Sequence, residues 1–335
     1  MIRKLYLSAY LLSRFLETVA PMAKEKLKIA FYWAASCGGC EVAVLDVNEK
    51  ILDVVAAADI VFWPVAIDIK YKDVENMSDK SIDACFFNGA IRTEENEKMA
   101  KLFRQKSKIL VAFGSCANDG CVKGLANLWD KDAIFERAYL ETPSTANPES
   151  VTPQLRVKVK EGELELPEIY DTVKTLPQTV DVDYTISGCP PPVPAILEMF
   201  TAFISGNIPP KGTSFLPDKS VCDECQREKK HTEINEIKRI YEIEDDGKTC
   251  FLDQGVICMG LATRAGCNCQ CPKVNIPCTG CGGPGPRVID QGAAAISALA
   301  SLVTNPDVVK QIVDPIGTFY MYSLANSILR RKVQK

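Results

Sequence analysis

No stretch of this sequence reaches the roughly 18–20 uninterrupted apolar residues of a membrane-spanning helix, so no transmembrane segment is expected. Residues 5–20 come closest, but Arg14 and Glu17 interrupt them, and the remaining apolar run is too short for a secretory signal. A twin-arginine address is absent. An excess of positive charge is missing too. Lysine plus arginine total 39 against 43 acidic residues, a net charge of -4, which leaves no basic field to draw the chain to nucleic acid. Neither a GxGxxG turn nor a Walker-type glycine loop supports nucleotide binding. Internal repeats and low-complexity tracts are absent, and 47% hydrophobic with 24% charged residues is ordinary globular composition, which excludes disorder and a collagen-like fibre. Histidine occurs once, as His231 after Lys229 and Lys230, in a charged run read as a solvated face rather than a metal site. Cysteine occurs fifteen times in 335 residues, too few for a small disulfide scaffold and more than a cytosolic protein keeps without a use. Metal or redox chemistry is therefore the first expectation.

From Lys26 onward, short β-branched and aromatic runs alternate with helical patterns. Residues 28–33, 59–66, 83–88, 108–113 and 183–187 read as buried strands, and the alternation predicts βαβ units around a parallel sheet. Between the first two strands, Val42, Leu45, Leu52 and Val55 make an apolar stripe that Val44, Val47, Ile51 and Val54 widen. Thr93 is placed to cap a helix running to Lys106, residues 156–166 read as a hairpin, and a further helix is expected over residues 193–205. After Gly206 the character changes: Pro209, Pro210 and Pro217 form a linker, and nine cysteines fall between Cys222 and Cys281. Such weak apolar periodicity cannot organise a fold by burial alone, so metal ligation is the expected organiser. Helical pattern returns over residues 288–303, and residues 315–330 read as a packing tail. At the other end, Ile2, Leu5, Ala9, Leu12, Leu16 and Val19 fall at helical spacing. That segment is read as an extension outside the fold, consistent with an upstream start ahead of Met22, with docking to a surface or partner as the alternative.

The cysteines sort by position. Cys37-Gly38-Gly39-Cys40 follows the first strand, Gly114-Ser115-Cys116 the fourth and Gly188-Cys189-Pro190-Pro191 the fifth. All four cysteines thus lie past carboxyl ends, which in an open parallel sheet border the ligand-binding crevice. Glycines there let backbone approach a bound group and free N–H groups for its sulfurs. Downstream, Cys222-x2-Cys225, Cys250 and Cys258 are followed by Cys267-x3-Cys271-x6-Cys278-x2-Cys281, which makes two more tetrads. Twelve cysteines would serve three four-iron clusters, leaving Cys85, Cys121 and Cys269 over. A lone CxxC also suits a thioredoxin-like dithiol or half a zinc site, and structural zinc remains the alternative for the paired units.

At this point the residues match a family. The segments Ser36-Cys37-Gly38-Gly39-Cys40-Glu41, Gly114-Ser115-Cys116-Ala117, Gly188-Cys189-Pro190-Pro191, Val221-Cys222-Asp223-Glu224-Cys225, Thr249-Cys250 ahead of Gln254-Gly255, Cys258-Met259-Gly260 with Thr263-Arg264, and Pro277-Cys278-Thr279-Gly280-Cys281 resemble the small, electron-transferring subunit of nickel-iron hydrogenases. The likeness is nearest to the iron-sulfur subunit of the methyl-viologen-reducing type of methanogens and related anaerobes, and covers residues 26–285. The resemblance implies an α/β, flavodoxin-like parallel-sheet domain over residues 26–206, an irregular, ferredoxin-like iron-sulfur domain over 207–287 and a helical tail over 288–335, with 1–25 outside. It implies that Cys37, Cys40, Cys116 and Cys189 hold a proximal 4Fe-4S cluster facing the large subunit's nickel-iron centre. Cys267, Cys271, Cys278 and Cys281 would hold the medial cluster. Cys222, Cys225, Cys250 and Cys258 would hold the distal one, from which electrons leave. It further implies a cytoplasmic complex with the large subunit, a small delta-type iron-sulfur subunit and a heterodisulfide reductase-type or ferredoxin-type acceptor. Many respiratory members of the family have a distal histidine ligand and a three-iron medial cluster. Here Cys222 stands at the histidine position and Cys271 adds a fourth medial ligand, so four-iron clusters are expected at both.

No hydrogen chemistry is expected on this chain itself. Glu41 is a candidate proton relay or interface residue, against the simpler reading of a carboxylate favoured in a helix's first turn. Trp33 and Trp63 read as packing residues, Cys85 as a small buried hydrophobe, and Cys269 and Cys121 as extra thiols. The homologous iron-sulfur subunit of respiratory complex I resembles the first domain but lacks the second set of ligands. A zinc-organised scaffold is the rival from another class.

Overall fold

The computed structural model describes residues 25–329, so the expected helix near the amino terminus lies outside the described residues. Five strands form the central sheet: β1 (Leu27–Trp33), β2 (Ala58–Phe62), β3 (Ile82–Asn88), β4 (Ser107–Phe113) and β5 (Tyr184–Ile186). They pair in the order β2-β1-β3-β4-β5, every pair parallel, which is the flavodoxin-like order. The sheet is covered on both faces, and this is why its strands read as continuous apolar runs rather than alternating ones. On one face Phe31, Phe86, Val111 and Phe113 pack against helix residues Ile196, Met199, Phe200 and Phe203. On the other, Tyr32, Phe87, Cys85 and Leu110 pack against Met99, Ala100 and Phe103. Adjacent residues of one strand thus serve different cores. Phe86 stacks on Phe31 at 5.0 Å between centroids and meets Phe200 edge-on at 5.4 Å, and each such burial contributes about 2 kcal/mol.

The connecting helices are α1 (Gly39–Leu45), α2 (Ile51–Ala57), α3 (Glu94–Lys106), α4 (Ser115–Asp119) and α5 (Val193–Ser205). Thr93 caps α3 as expected, its Oγ1 accepting from the Asn96 backbone while the Asn96 side chain accepts from the Thr93 N–H. The expected hairpin is present as strands Arg156–Val159 and Gly162–Glu165. The apolar stripe after β1 is split. A turn at Asn48, with φ 54°, separates α1 from α2, and the row Val44, Val47 and Val54 is buried. Val42, Leu45 and Leu52 remain 57%, 56% and 65% exposed. Strand β2 also stops at Phe62, four residues short of the expected end, because a turn begins after Trp63.

Beyond α5, which ends at Gly206, residues 207–287 contain short helical turns and isolated bridges such as Ser220 with Arg264. The segment expected as a packing tail does pack. Helix Gln291–Ala300 and residues Phe319, Tyr320 and Leu324 share a core with Met259 and Ala262. The approach is tight enough that a Cβ on Gly292 would lie 2.4 Å from the Tyr320 ring. The segment then reaches back to the first unit, where the Cys121 N–H donates to Tyr322 O at 3.1 Å and Gln178 donates to Ala325 O at 2.7 Å. Among the described residues no helix is long and apolar enough to cross a membrane.

Candidate metal centres

The first site lies at the carboxyl ends of β1, β4 and β5, beside the point between β1 and β3 where the strand order reverses. Gly38, with φ 83°, turns the chain out of β1 into α1 and places Cys37 and Cys40 on either side of the turn. The loop after β4 runs so close that a Cβ on Gly114 would lie 2.4 Å from Cys40 Sγ, and Gly114 also has φ 86°. Only glycine fits there. Ser115 fastens the ligand loops together: its Oγ accepts from Gly188 N at 2.8 Å and donates to Cys281 O at 2.6 Å. Cys37, Cys40, Cys116 and Cys189 therefore face one another, as their mutual influence on Cys40 also records. Burial, followed by the charges of Cys116 and Cys189, pushes the Cys40 thiol up. Cys116 and Cys189 are pulled down, chiefly by hydrogen bonds from the Cys121 thiol, which is itself held protonated.

Two further groups form in the second half. Burial pushes Cys222 up to about 12, with Cys258, Cys250 and Cys225 as its charged neighbours. Cys281 is pushed up to about 11 by burial, beside Cys267 and Cys271, and Cys278 lies next to both Cys281 and Cys258. Successive groups touch through ligand peptides. Ser115 Oγ bridges Gly188 N, at 2.8 Å, to Cys281 O, at 2.6 Å, and the Cys278 N–H donates to Cys258 Sγ at 3.3 Å. Among the described residues no three histidine, cysteine, aspartate or glutamate side chains form a group able to hold a single metal ion.

Cys269 packs among Cys225, Cys258, Cys267 and Cys278, buried with φ 51° and its thiol donating to Val221 O at 3.2 Å. Cys85 is fully buried within β3. His231 is exposed, in a loop that folds around the Asp253 carboxylate through the Lys230 and Thr232 N–H groups. Glu41 is buried rather than simply lying at a helix start. It accepts hydrogen bonds from Trp63 Nε1 and from Asn88 Nδ2, and burial pushes its carboxyl above the usual range. Trp63 is buried as expected, whereas Trp33 is partly exposed, with its ring against Gly38.

Two organising residues escaped the sequence reading. Arg227 is a buried guanidinium that bonds Asp245 at 2.7 and 2.8 Å, Thr249 O at 2.8 Å and Asn275 at 3.0 Å, over the Phe251 ring. It binds together the loops that carry Cys225, Cys250 and Cys271. Lys123 is half buried and directs its ammonium at Cys116, near Cys37 and Cys189. Both lie two residues past a cysteine, a spacing that by itself announces nothing.

Residues 37–203 match a family model described as NADH ubiquinone oxidoreductase, 20 Kd subunit, a match that ends before Cys222. Over almost its full length the chain is similar to hydrogenase subunits. It is 43% identical over 319 residues to the iron-sulfur subunit of the F420-non-reducing hydrogenase of Archaeoglobus profundus, covering 92% of this chain and 99% of that protein. It is 38% identical over 324 residues to the corresponding F420-non-reducing hydrogenase subunit of Methanothermobacter thermautotrophicus, with 93% and 98% covered. Similarity to the NAD-reducing hydrogenase HoxS subunit delta of Cupriavidus necator is lower, 26% over 190 residues, covering 56% of this chain and 83% of that one.

Proposed function

This chain belongs to the family of F420-non-reducing hydrogenase iron-sulfur subunits, part of an oxidoreductase complex, and from that premise we propose that it conducts electrons from a partner large subunit to a downstream acceptor through three four-iron clusters. Twelve cysteines are assigned as ligands: Cys37, Cys40, Cys116 and Cys189 to the proximal cluster; Cys267, Cys271, Cys278 and Cys281 to the medial; Cys222, Cys225, Cys250 and Cys258 to the distal. The observation that carries this reading is the bonding between successive groups, from Gly188-Cys189 to Cys281 through Ser115 Oγ and from Cys278 directly to Cys258. Each contact offers a continuous covalent and hydrogen-bonded route from one ligand set to the next. When bound, each cluster takes up and releases one electron at a time.

The residues support this chemistry in three ways. Burial pushes the Cys40, Cys222, Cys258, Cys271, Cys278 and Cys281 thiols up, so iron binding at these positions would release protons and couple site order to metal binding. The Gly114 backbone packs against Cys40 and leaves no room for a side chain between the protein and a bound group. Ligand-loop N–H groups meet sulfur, as from Gly39 to Cys37 at 3.4 Å, which favours added negative charge. The partner with the nickel-iron centre would dock over the exposed residues Trp33, Val42, Leu45 and Leu52, of which Trp33 packs on Gly38 between Cys37 and Cys40. Hydrogen cleavage would then take place on that partner, and electrons would leave from the distal cluster to a heterodisulfide reductase-type or ferredoxin-type acceptor in the cytoplasm. The unit boundaries at 26–206, 207–287 and 288–335 belong to the same proposal. The second set of ligands supports the hydrogenase reading over a complex I-like subunit.

Anaerobic purification with the native partners, followed by metal analysis and electron paramagnetic resonance, tests the reading. Three tetrads require about twelve irons and twelve sulfides per chain, four of each per cubane. Stoichiometric zinc, or only about four irons, would refute it.

A further inference from the structure

Glu224 stands in the chain between two of the distal ligands, Cys222 and Cys225, yet its side chain bonds the medial ligand loop. Its Oε2 accepts from Gly266 N at 3.3 Å and from Asn268 N at 3.1 Å, the two N–H groups that flank Cys267. One carboxylate oxygen thus ties the distal turn to a medial ligand. The backbone builds this approach. Ahead of the two loops the chain pairs in antiparallel fashion, with Ala265 N donating to Lys219 O and Val221 N to Thr263 O, both at 2.9 Å. Asp223 caps the turn by accepting from Ser220 N at 2.7 Å, and the Cys269 thiol adds a second tie, donating to Val221 O at 3.2 Å. The loop has a conformation that must be held. Gly266, Asn268 and Cys269 have φ of 117°, 53° and 51°, and left-handed backbone costs free energy wherever a Cβ is present. The Glu224 side chain is only 13% exposed, and its other oxygen faces Lys219 Nζ at 3.5 Å. The Lys219 side chain is 48% exposed, so solvent screens it and it offsets only part of the carboxylate's charge.

We propose that Glu224 is a positioning residue for the medial group: its carboxylate anchors the loop that carries Cys267 and holds the reduction potential of that group down. The inference rests on the three-cluster reading. Reduction adds one electron to the medial group, no bond forms or breaks, and no proton is taken up by Glu224. A negative charge beside a cluster disfavours the added electron, and net charge is one of the levers that set cluster potentials.

The test uses the native complex, prepared anaerobically, with Glu224→Gln and Glu224→Leu. The medial signal is titrated electrochemically under electron paramagnetic resonance, and deuterium exchange over residues 266–271 is followed by mass spectrometry. In Glu224→Gln the amide oxygen still accepts both N–H groups but the charge is gone. That variant should keep full iron content and wild-type exchange, and raise the reduced-to-oxidised ratio of the medial group at the wild-type midpoint by about tenfold, or about 59 mV for a one-electron couple. Glu224→Leu removes the acceptor as well and should speed exchange over that segment by about tenfold. An unchanged medial midpoint in Glu224→Gln overturns the inference, as does a shift confined to the distal signal or wild-type exchange in Glu224→Leu. Loss of medial iron in Glu224→Gln overturns it too, because the anchoring geometry is kept there. A wild-type complex without a medial four-iron signal refutes the function reading itself, and the inference with it.

Discussion

Replacing Arg227 with methionine should loosen the distal site more than any other single change away from the ligands. Its side chain is 5% exposed and that of Asp245 9%. The substitution deletes two charged hydrogen bonds to Asp245, one to Thr249 O, one to Asn275 and the contact with Phe251 at 3.9 Å. Asp245 keeps only neutral donors, the amide of Gln254 at 2.9 Å and the Gly247 N–H, against an uncompensated charge. Removing one partner of a buried ion pair costs about 3–5 kcal/mol, a large part of the 5–15 kcal/mol that holds a typical domain. At roughly 2–4 °C per kcal/mol, the melting temperature should fall by about 6–20 °C. Because Thr249 precedes Cys250, the distal paramagnetic signal should be lost first. The pH dependence follows from the sign of the shift. The hydrogen bonds from Arg227 hold the Asp245 carboxyl below the usual range. The pair's stabilisation is therefore complete above the ordinary carboxylate pKa and disappears as pH falls through the depressed folded value. The variant should lack that acid limb, and Arg227→Met with Asp245→Leu should recover part of the loss. Calorimetry and paramagnetic resonance of the iron-loaded complex provide the assay. A melting temperature within about 2 °C of wild type, with the distal signal intact, would refute the staple.

Cys222→Ala should damage the distal cluster and slow transfer to the physiological acceptor, while His231→Ala, altering an exposed loop, should leave all three signals intact; the opposite pattern would make the histidine the ligand. Gly114→Ala forces a Cβ to within 2.4 Å of Cys40 Sγ at φ 86°, so iron analysis should find the proximal cluster lost and the other two retained. Glu41→Gln should stabilise the protein at neutral pH. Burial raises the Glu41 carboxyl in the folded state, so wild type loses stability as pH rises from the ordinary carboxylate range through that raised value, and an amide does not. With its oxygen accepting from Trp63 Nε1, the new amide donates to Asn88 Oδ1, now without a partner among the described residues, once the Asn88 amide turns over. Melting curves across pH that run parallel in the two proteins would contradict this assignment.

What the sequence determined by itself was local and periodic. Continuous apolar runs marked the five strands, because a sheet buried on both faces tolerates no polar alternation, and right-handed βαβ connections then made the pairs parallel. The same logic put Cys37, Cys40, Cys116 and Cys189 at one end of the sheet before any distance was known. Spacing alone also separated the downstream cysteines from the parallel-sheet unit. Only the tertiary structure decided which of two apolar rows after β1 is buried. Either row satisfies helical periodicity, and the turn at Asn48 chooses Val44, Val47 and Val54 while leaving Val42, Leu45 and Leu52 open. The roles of Arg227 and Glu224 were equally invisible. Their partners Asn275 and Asn268 lie 48 and 44 residues away. No local pattern encodes which distant carbonyl, carboxylate or sulfur a buried donor will meet, because that pairing is set by how the loops close over one another.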